Sequence, residues 1–346
     1  MKRASVSDVS RRAGVSTATV SRVLNAPEKV LPETRERVLA AIKELNFVKS
    51  AAAFSLKARQ SHNVLVVATK IGNIFYSKLF QGVQRRAEES GYSVIITSRD
   101  AGYSDPVLER LRTGRVDGVI ILDAASLASE EYDFLRSSYQ GTPPLVGFSE
   151  KPGLLPFPHI LVDNFQPSYD LTRYLIDLGH RDIGVVQAPS YLPVRLERLG
   201  GFLQAMKDAG LTVREENVFE GGFESDAGHR VARELLGRER RPTAMMCSND
   251  EMAMGMISDL VRAGVRVPDD MSVIGFDDCT LADVYSPPLT TMAQPRERIG
   301  REAMDLLLRV MADPNTPSDT IVRLDTVPKF RGSAAPPRKA AEGAPM

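Results

Sequence analysis

Over the first sixty residues apolar positions recur at helical spacing; from Val64 onward they gather into short continuous runs separated by amphipathic stretches. In the first region Val6, Val9 and Ala13 fall three and four residues apart, the spacing of one helix face. Ser5, with Asp8 three residues on, supplies an N-cap and an N3 acid. Gly14 follows, a residue that lets the backbone turn sharply without a Cβ penalty. Ser16 can cap a second helix whose Val20, Val23 and Leu24 face back onto the first. Thr17, Ala18, Ser21 and Arg22 are then left pointing outward. This predicts a helix-turn-helix, whose second helix is narrow enough for a DNA major groove; an ordinary helical hairpin is the plainer alternative. A third helix is predicted over 32–46, opened by Pro32 where a missing N–H costs nothing, with Val38, Leu39, Ile42 and Leu45 on one face.

After Asn46 the chain reads FVKSAAAFSLKARQSHN. Residues 51–57 favour a helix but fall short of the ~12–15 residues an isolated helix needs, so they are expected to fold only against a partner. Leu56 is the large aliphatic side chain there and suits a wedge into a minor-groove step. From Val64 strands are predicted at 64–69, 93–98, 117–122 and 144–149, with helices over 75–89 and near 106–113. A second series starts at 159–163 and adds strands at 182–188, 217–222, 243–249 and 272–278, with helices over 166–178, 195–209, 226–236 and 251–263. Runs this apolar are expected to be buried on both faces, hence parallel and covered by helices. Two series mean two doubly wound lobes in an α/β protein, behind an all-α head. Ligands bind at the carboxyl ends of such strands, and the cleft between lobes is the natural site.

Charge divides the chain at the same place. The whole balances 44 Lys+Arg against 44 Asp+Glu. Residues 1–60 hold twelve Lys/Arg against five acids, a net +7, which leaves −7 for the remainder. A basic head on an acidic body fits a phosphate-contacting module carried by a body that avoids DNA. Cys247 and Cys279, the two cysteines, lie in or beside apolar runs and are expected as buried free thiols in a reducing compartment.

The chain resembles the lactose-repressor/galactose-repressor (LacI/GalR) family of transcription regulators from Ser5 to about Gly332. The resemblance rests on SDVSRRAGVSTATVSRVLN, ETRERVLAAIKELNF, EESGYSVII, RVDGVIIL, VDN, GHRDIGVV, SNDEMAMG, GVRVPDDMSVIGFDD and PPLTTMAQPRERIGREAMDLLL. STATVSRVLNAPEKV and PPLTTMAQPRERIGREAM are also similar to its cytidine-regulator branch. The resemblance implies a helix-turn-helix headpiece and two parallel-sheet lobes of the type I periplasmic-binding-protein kind. It places recognition residues at Thr17, Ala18 and Arg22 and an intercalating leucine at Leu56. The candidate DNA-binding set is Ser5, Ser16, Thr17, Ala18, Thr19, Ser21, Arg22, Asn25, Lys49 and Leu56. The candidate effector-binding set is Phe75, Tyr76, Ser149, Glu150, Arg198, Phe223, Asn249 and Asp277, with Arg195 and Asp123 one step off the usual positions. Aromatic faces suit a sugar or base ring, and the polar groups suit hydroxyls.

Two segments depart from the family pattern. After the first strand D-x-x-N-P-F-F is the usual run, and here it is Lys70-Ile71-Gly72-Asn73-Ile74-Phe75-Tyr76. The hinge pattern Y-x-P-N-x-x-A-R-x-L becomes Phe47-Val48-Lys49-Ser50-Ala51-Ala52-Ala53-Phe54-Ser55-Leu56, losing the proline and the arginine but keeping the leucine.

Each candidate also has a plain structural reading. The aromatics can be core, Asn249 can cap the helix that follows, Asp277 and Asp278 can stabilise a turn, and Arg198 can form a surface ion pair. An enzyme is the competing class, but the four histidines show no metal-ligand spacing. No nucleophile elbow, Walker A or dinucleotide-binding run occurs either. A secreted sugar-binding protein would need a signal peptide, which the opening MKRASVSDVS lacks, and would carry no basic head. The expectation is therefore a cytoplasmic, nucleoid-associated bacterial repressor without enzymatic activity, cofactor or membrane span. Its domains are a headpiece at 1–48, a hinge at 49–61, a body at 62–332 and a disordered tail at 333–346. As a homodimer it would bind pseudo-palindromic operator DNA under control of a sugar, polyol or nucleoside. Release by an inducer is expected; recruitment by a corepressor is the alternative.

Overall fold

The computed structural model describes residues 4–47, 60–68, 71–98, 110–111, 113–122, 129–137, 139, 141–149, 156–190 and 192–338. The chain divides into two compact units, Met1–Ser61 and His62–Met346. In the first, α1 (Val6–Ala13), α2 (Thr17–Asn25) and α3 (Pro32–Glu44) close on Val9, Ala13, Val20, Val23, Val38, Ala41 and Phe47. The start of α1 is a full capping box: Asp8 N–H donates to Ser5 Oγ and Ser5 N–H to the Asp8 carboxylate. Gly14 stops α1 in the left-handed conformation, φ 66°, which a Cβ would penalise. Ser16 caps α2 by accepting from Thr19 N–H at 3.1 Å.

The second unit contains the two lobes. Its first sheet has six parallel strands: β1 (Asn63–Ala68), β2 (Ser93–Ser98), β3 (Gly118–Ile121), β4 (Leu145–Ser149), β5 (His159–Val162) and β11 (Ile321–Leu324). They lie in the order β11-β5-β4-β3-β1-β2. One face packs on α4 (Ile74–Glu89) and α10 (Arg296–Ala312), the other beside α5 (Ser129–Ser137). The second sheet has four parallel strands ordered β7-β6-β8-β9: β6 (Ile183–Val186), β7 (Val218–Phe219), β8 (Ala244–Cys247) and β9 (Ser272–Ile274). It is covered by α6 (Phe165–Asp177) and α7 (Pro193–Asp208) on one face and by α8 (Ser225–Leu236) and α9 (Asp250–Arg262) on the other. A short antiparallel pair, β10 (Thr291–Ala293) with β12 (Val327–Lys329), joins the crossing strands.

The two-lobed α/β architecture agrees with the expectation, and four details correct it. The strand at 159–163, expected to open the second series, pairs with β4 and β11 in the first sheet. The chain therefore crosses between lobes three times: after Val162, between Ala293 and Arg296, and after Leu324. β2 is not buried on both faces: it is an edge strand, and Ile95 and Ile96 are exposed. The run at 217–222 forms a strand of only two residues.

The fourth correction concerns the tail. Ser333 is buried and exchanges hydrogen bonds with Val273 and Thr290. Ala335 O lies 2.9 Å from His180 Nε2, so the stretch 333–338 is part of the second lobe. Close helix packing fixes the first lobe. Gly82 on α4 and Gly300 on α10 face each other's backbones, and a Cβ on either would overlap the facing carbonyl of Glu297 or Leu79.

Candidate functional site

The outward face of α2 carries the first set of candidate residues. Ser16, Thr17, Ala18 and Arg22 are exposed and Thr19 and Ser21 half-exposed, while Val20 and Val23 hold the helix to the head core. Ser5 is exposed at the capped start of α1. At α1 the Ser5 N–H and hydroxyl both donate to Asp8; the first turn of α2 carries no acid and exposes Ser16 and Thr17, the arrangement that accepts phosphate oxygens. Asn25 ends α2; Lys49 and Leu56 lie outside the described residues, as does Phe54.

The second set gathers where parallel strands end. Arg198, on α7, is buried, so the surface-ion-pair reading does not hold. Its guanidinium lies 3.8 Å from the Phe276 ring centroid. Nε donates to Asn164 Oδ1 at 2.8 Å, one terminal nitrogen to the Ser248 carbonyl, and the other to Asp277 Oδ1 at 3.3 Å. Gln294 Nε2 donates to the same Asp277 oxygen at 2.8 Å. Burial pushes the Asp277 carboxyl up from its ordinary value, and the Arg198 charge and the Gln294 hydrogen bond oppose that. Asp277 and Asp278 both take positive φ, 110° and 52°, conformations that non-glycine residues hold only when their surroundings impose them.

Asn249 caps α9: its Oδ1 accepts from Met252 N–H at 3.0 Å and its Nδ2 donates to the Phe223 carbonyl at 2.8 Å. The capping reading is realised, and the same bonds bring Phe223 to the strand ends. Phe75 packs at 6.2 Å centroid distance on Phe148 and edge-on to Tyr76, against the first-lobe core. Ser149 is buried at the end of β4. Arg195 Nε donates to Gln187 Oε1 at 2.7 Å. Glu150, Asp123 and Lys70 lie outside the described residues.

Sequence reasoning missed Asn164 and Gln294. Asn164 lies two residues past the end of β5, so the strand-end rule finds it once that strand is placed. Gln294 sits on a crossing segment that no hydrophobic period marks. Its Oε1 is buried without a hydrogen-bond partner, a cost that a ligand donor would remove. Among the described residues no group of three or more His, Cys, Asp or Glu is placed to hold a metal, and no helix is long and apolar enough to cross a membrane. Both cysteines are buried and free.

Beneath this cluster Asp250 is buried, accepting from Thr291 Oγ1 at 2.5 Å and from Cys279 N–H at 2.6 Å. Burial, with repulsion from Asp277, pushes its carboxyl up to about 8. A folded-state value above the unfolded one means stability that is full below ~4, declines as pH rises and is gone above about 8. Thermal melts are therefore expected to fall between about pH 5 and pH 8 and to level off above that. Asp250→Asn, able to donate to Thr291 and accept from Cys279, should flatten that component. An equally steep profile in the variant would show that another group is responsible.

Comparison with known proteins gives a consistent result. Residues 5–50 match the family described as bacterial regulatory proteins, lacI family. Residues 172–334 match the periplasmic binding protein-like domain. The HTH-type transcriptional repressor PurR of Vibrio cholerae serotype O1 (strain M66-2) is 36% identical over 312 residues, 90% of this chain and 92% of its own. Its counterpart in Proteus mirabilis (strain HI4320) is 36% identical over 323 residues, 92% of this chain and 93% of its own. Among solved structures, a lac repressor dimer bound to operator and the anti-inducer ONPF superposes with a TM-score of 0.84 at 26% identity, covering 96% of this chain and all of that one. The complex of the transcriptional regulator CelR with cellobiose gives 0.70 at 30% identity, with 96% and 100% coverage.

Proposed function

Starting from a chain that belongs to the lacI family of bacterial regulatory proteins, we propose that it represses transcription as a homodimer on pseudo-palindromic operator DNA and is released by a small effector. The reading is of a DNA-binding repressor under allosteric control and not of an enzyme. Thr17, Ala18, Ser21, Arg22 and Asn25 face base edges; Ser5, Ser16, Thr19 and Lys49 hold phosphates. Leu56, in a hinge at 49–61 between headpiece and body, wedges a minor-groove step. Two headpieces on one dimer face half-sites about one helical turn apart. The protein works in the bacterial cytoplasm, at the nucleoid.

The effector is a sugar, polyol or nucleoside held in the body. Phe75, Tyr76 and Phe223 pack on its ring, and Ser149, Glu150, Arg198, Asn249 and Asp277 bond its polar edge. The observation that carries this reading is the buried Arg198–Asp277 pair, joined by Asn164 and by Gln294 with its unpartnered carbonyl. Most of these groups satisfy one another, but Gln294 Oε1 is buried without a partner, a cost that a polar ligand donor removes.

The test is a thermal-shift screen of the full chain with pentoses, hexoses, polyols and nucleosides. A ligand at a hundred times its Kd adds about 2.7 kcal/mol. Any compound that stabilises the protein is then titrated against the protein–operator complex. Release supports induction; tighter binding would replace it with corepression. No stabilisation by any of these classes would remove the assigned effector.

A further inference from the structure

Ile74 is the first residue of α4, and it is where the first lobe grips the second. Its N–H donates to Glu251 Oε1 on α9 at 3.1 Å. Its half-buried side chain packs against the second-lobe cluster that contains Met252, Met256 and Leu289. Its carbonyl accepts from Arg296 at 3.4 Å, and a second nitrogen of Arg296 donates to the Asp278 carbonyl at 2.6 Å. One residue is therefore held through its N–H, its side chain and its carbonyl. The next two residues along α4 are Phe75 and Tyr76; the residue before Asp278 is Asp277.

The N–H is a departure from the resembled pattern. The resembled pattern has proline at this position, and proline offers no donor. Here the donor exists and has a carboxylate partner from the opposite lobe. Burial raises the Glu251 carboxyl and the Ile74 N–H opposes that rise.

We infer that Ile74 and Glu251 are a pair of positioning residues that latch the lobes together and fix Phe75 and Tyr76 relative to the Arg198–Asp277 pair before any effector binds. Affinity for a ligand that needs closed lobes scales with the fraction already closed, so the latch sets effector affinity without touching the effector. That consequence rests on the functional reading above; the latch itself does not.

The full chain carries the test, with no ligand present. Donor and acceptor dyes on Gln81→Cys and Lys207→Cys, both exposed positions on α4 and α7, report the distance between lobes; the native cysteines are buried. Ile74→Pro removes the N–H at a first helical position preceded by Asn73 at ψ 127°, a geometry proline accepts. Losing one hydrogen bond of ordinary strength is expected to shift the closed-to-open ratio roughly three- to tenfold. Glu251→Ala should do the same, and the double variant should add nothing to either.

Ile74→Val and Glu251→Gln, which keep donor and acceptor, should stay near the parent. Should Ile74→Pro fail to fold, the Glu251 pair of variants decides the matter alone. Transfer efficiencies indistinguishable from the parent in Glu251→Ala would overturn the latch. A ligand screen without hits would strike the effector reading and leave the distance measurement standing.

Discussion

Arg198→Ala is expected to abolish effector response and to lower stability by about 3–5 kcal/mol, the cost of leaving a buried charge without its partner. The loss has identifiable parts. Asp277 keeps the Gln294 hydrogen bond and the attraction of Arg296 but loses its ion-pair partner, Asn164 Oδ1 and the Ser248 carbonyl lose their donor, and Phe276 loses the cation beside its ring. Arg198→Lys should recover little, because an ammonium cannot serve three acceptors in a plane and lie against a ring at once. Denaturant titration measures the stability, and operator titration with each candidate effector measures the response. The folded fraction should hold operator under every effector, a permanently repressing state if the ligand induces. A stability loss below about 1 kcal/mol would match an exposed ion pair and contradict the burial described for this side chain.

Arg22→Ala is expected to weaken specific operator binding by about five- to 150-fold, the 1–3 kcal/mol of a side chain that contacts a base edge. Non-specific binding should change much less, since phosphate contacts supply it. Arg22 is exposed and lies among side chains that leave the packing to Val20 and Val23, so the headpiece should melt unchanged. Gel-shift titrations at one fixed salt concentration, against operator and scrambled duplex, separate the two effects. Equal losses on both duplexes would make Arg22 a phosphate contact and move base reading elsewhere on α2.

The headpiece was legible because its determinants are local: caps, a left-handed glycine and a helical apolar period lie within twenty residues of each other. The strands of the lobes were legible because buried parallel strands are short apolar runs. Which sheet a run joins is not a local property. HILV at β5 looks the same whether it opens the second sheet or, as here, lies between β4 and β11. β11 itself, IVRL, is mostly half-exposed at a sheet edge and gives no strong pattern. Arg198 illustrates the limit at the site. An arginine on a helix reads as a surface residue until the fold surrounds it with Asn164, Ser248, Phe276 and Asp277, contributed by distant segments of the chain. Ser333 escaped notice for the same reason: a small polar residue in an alanine- and proline-rich stretch is buried only because β9 has an open side for it.

The three crossings have a consequence for synthesis of the protein. The core of the first lobe joins Val64, Leu79 and Ile120 to Ile299, Met304 and Leu307, so it draws on both ends of the body. A nascent chain that has emerged only as far as residue 290 carries all four strands of the second sheet. At that stage the first sheet still lacks its edge strand β11 and the helix α10 that covers one face. Its apolar residues wait, wet and adhesive, while the later-made sheet is already complete in strands. The lobe begun first is thus finished after most of its neighbour, and a chain stalled or truncated before α10 leaves an uncovered apolar sheet face for chaperones or proteases to meet.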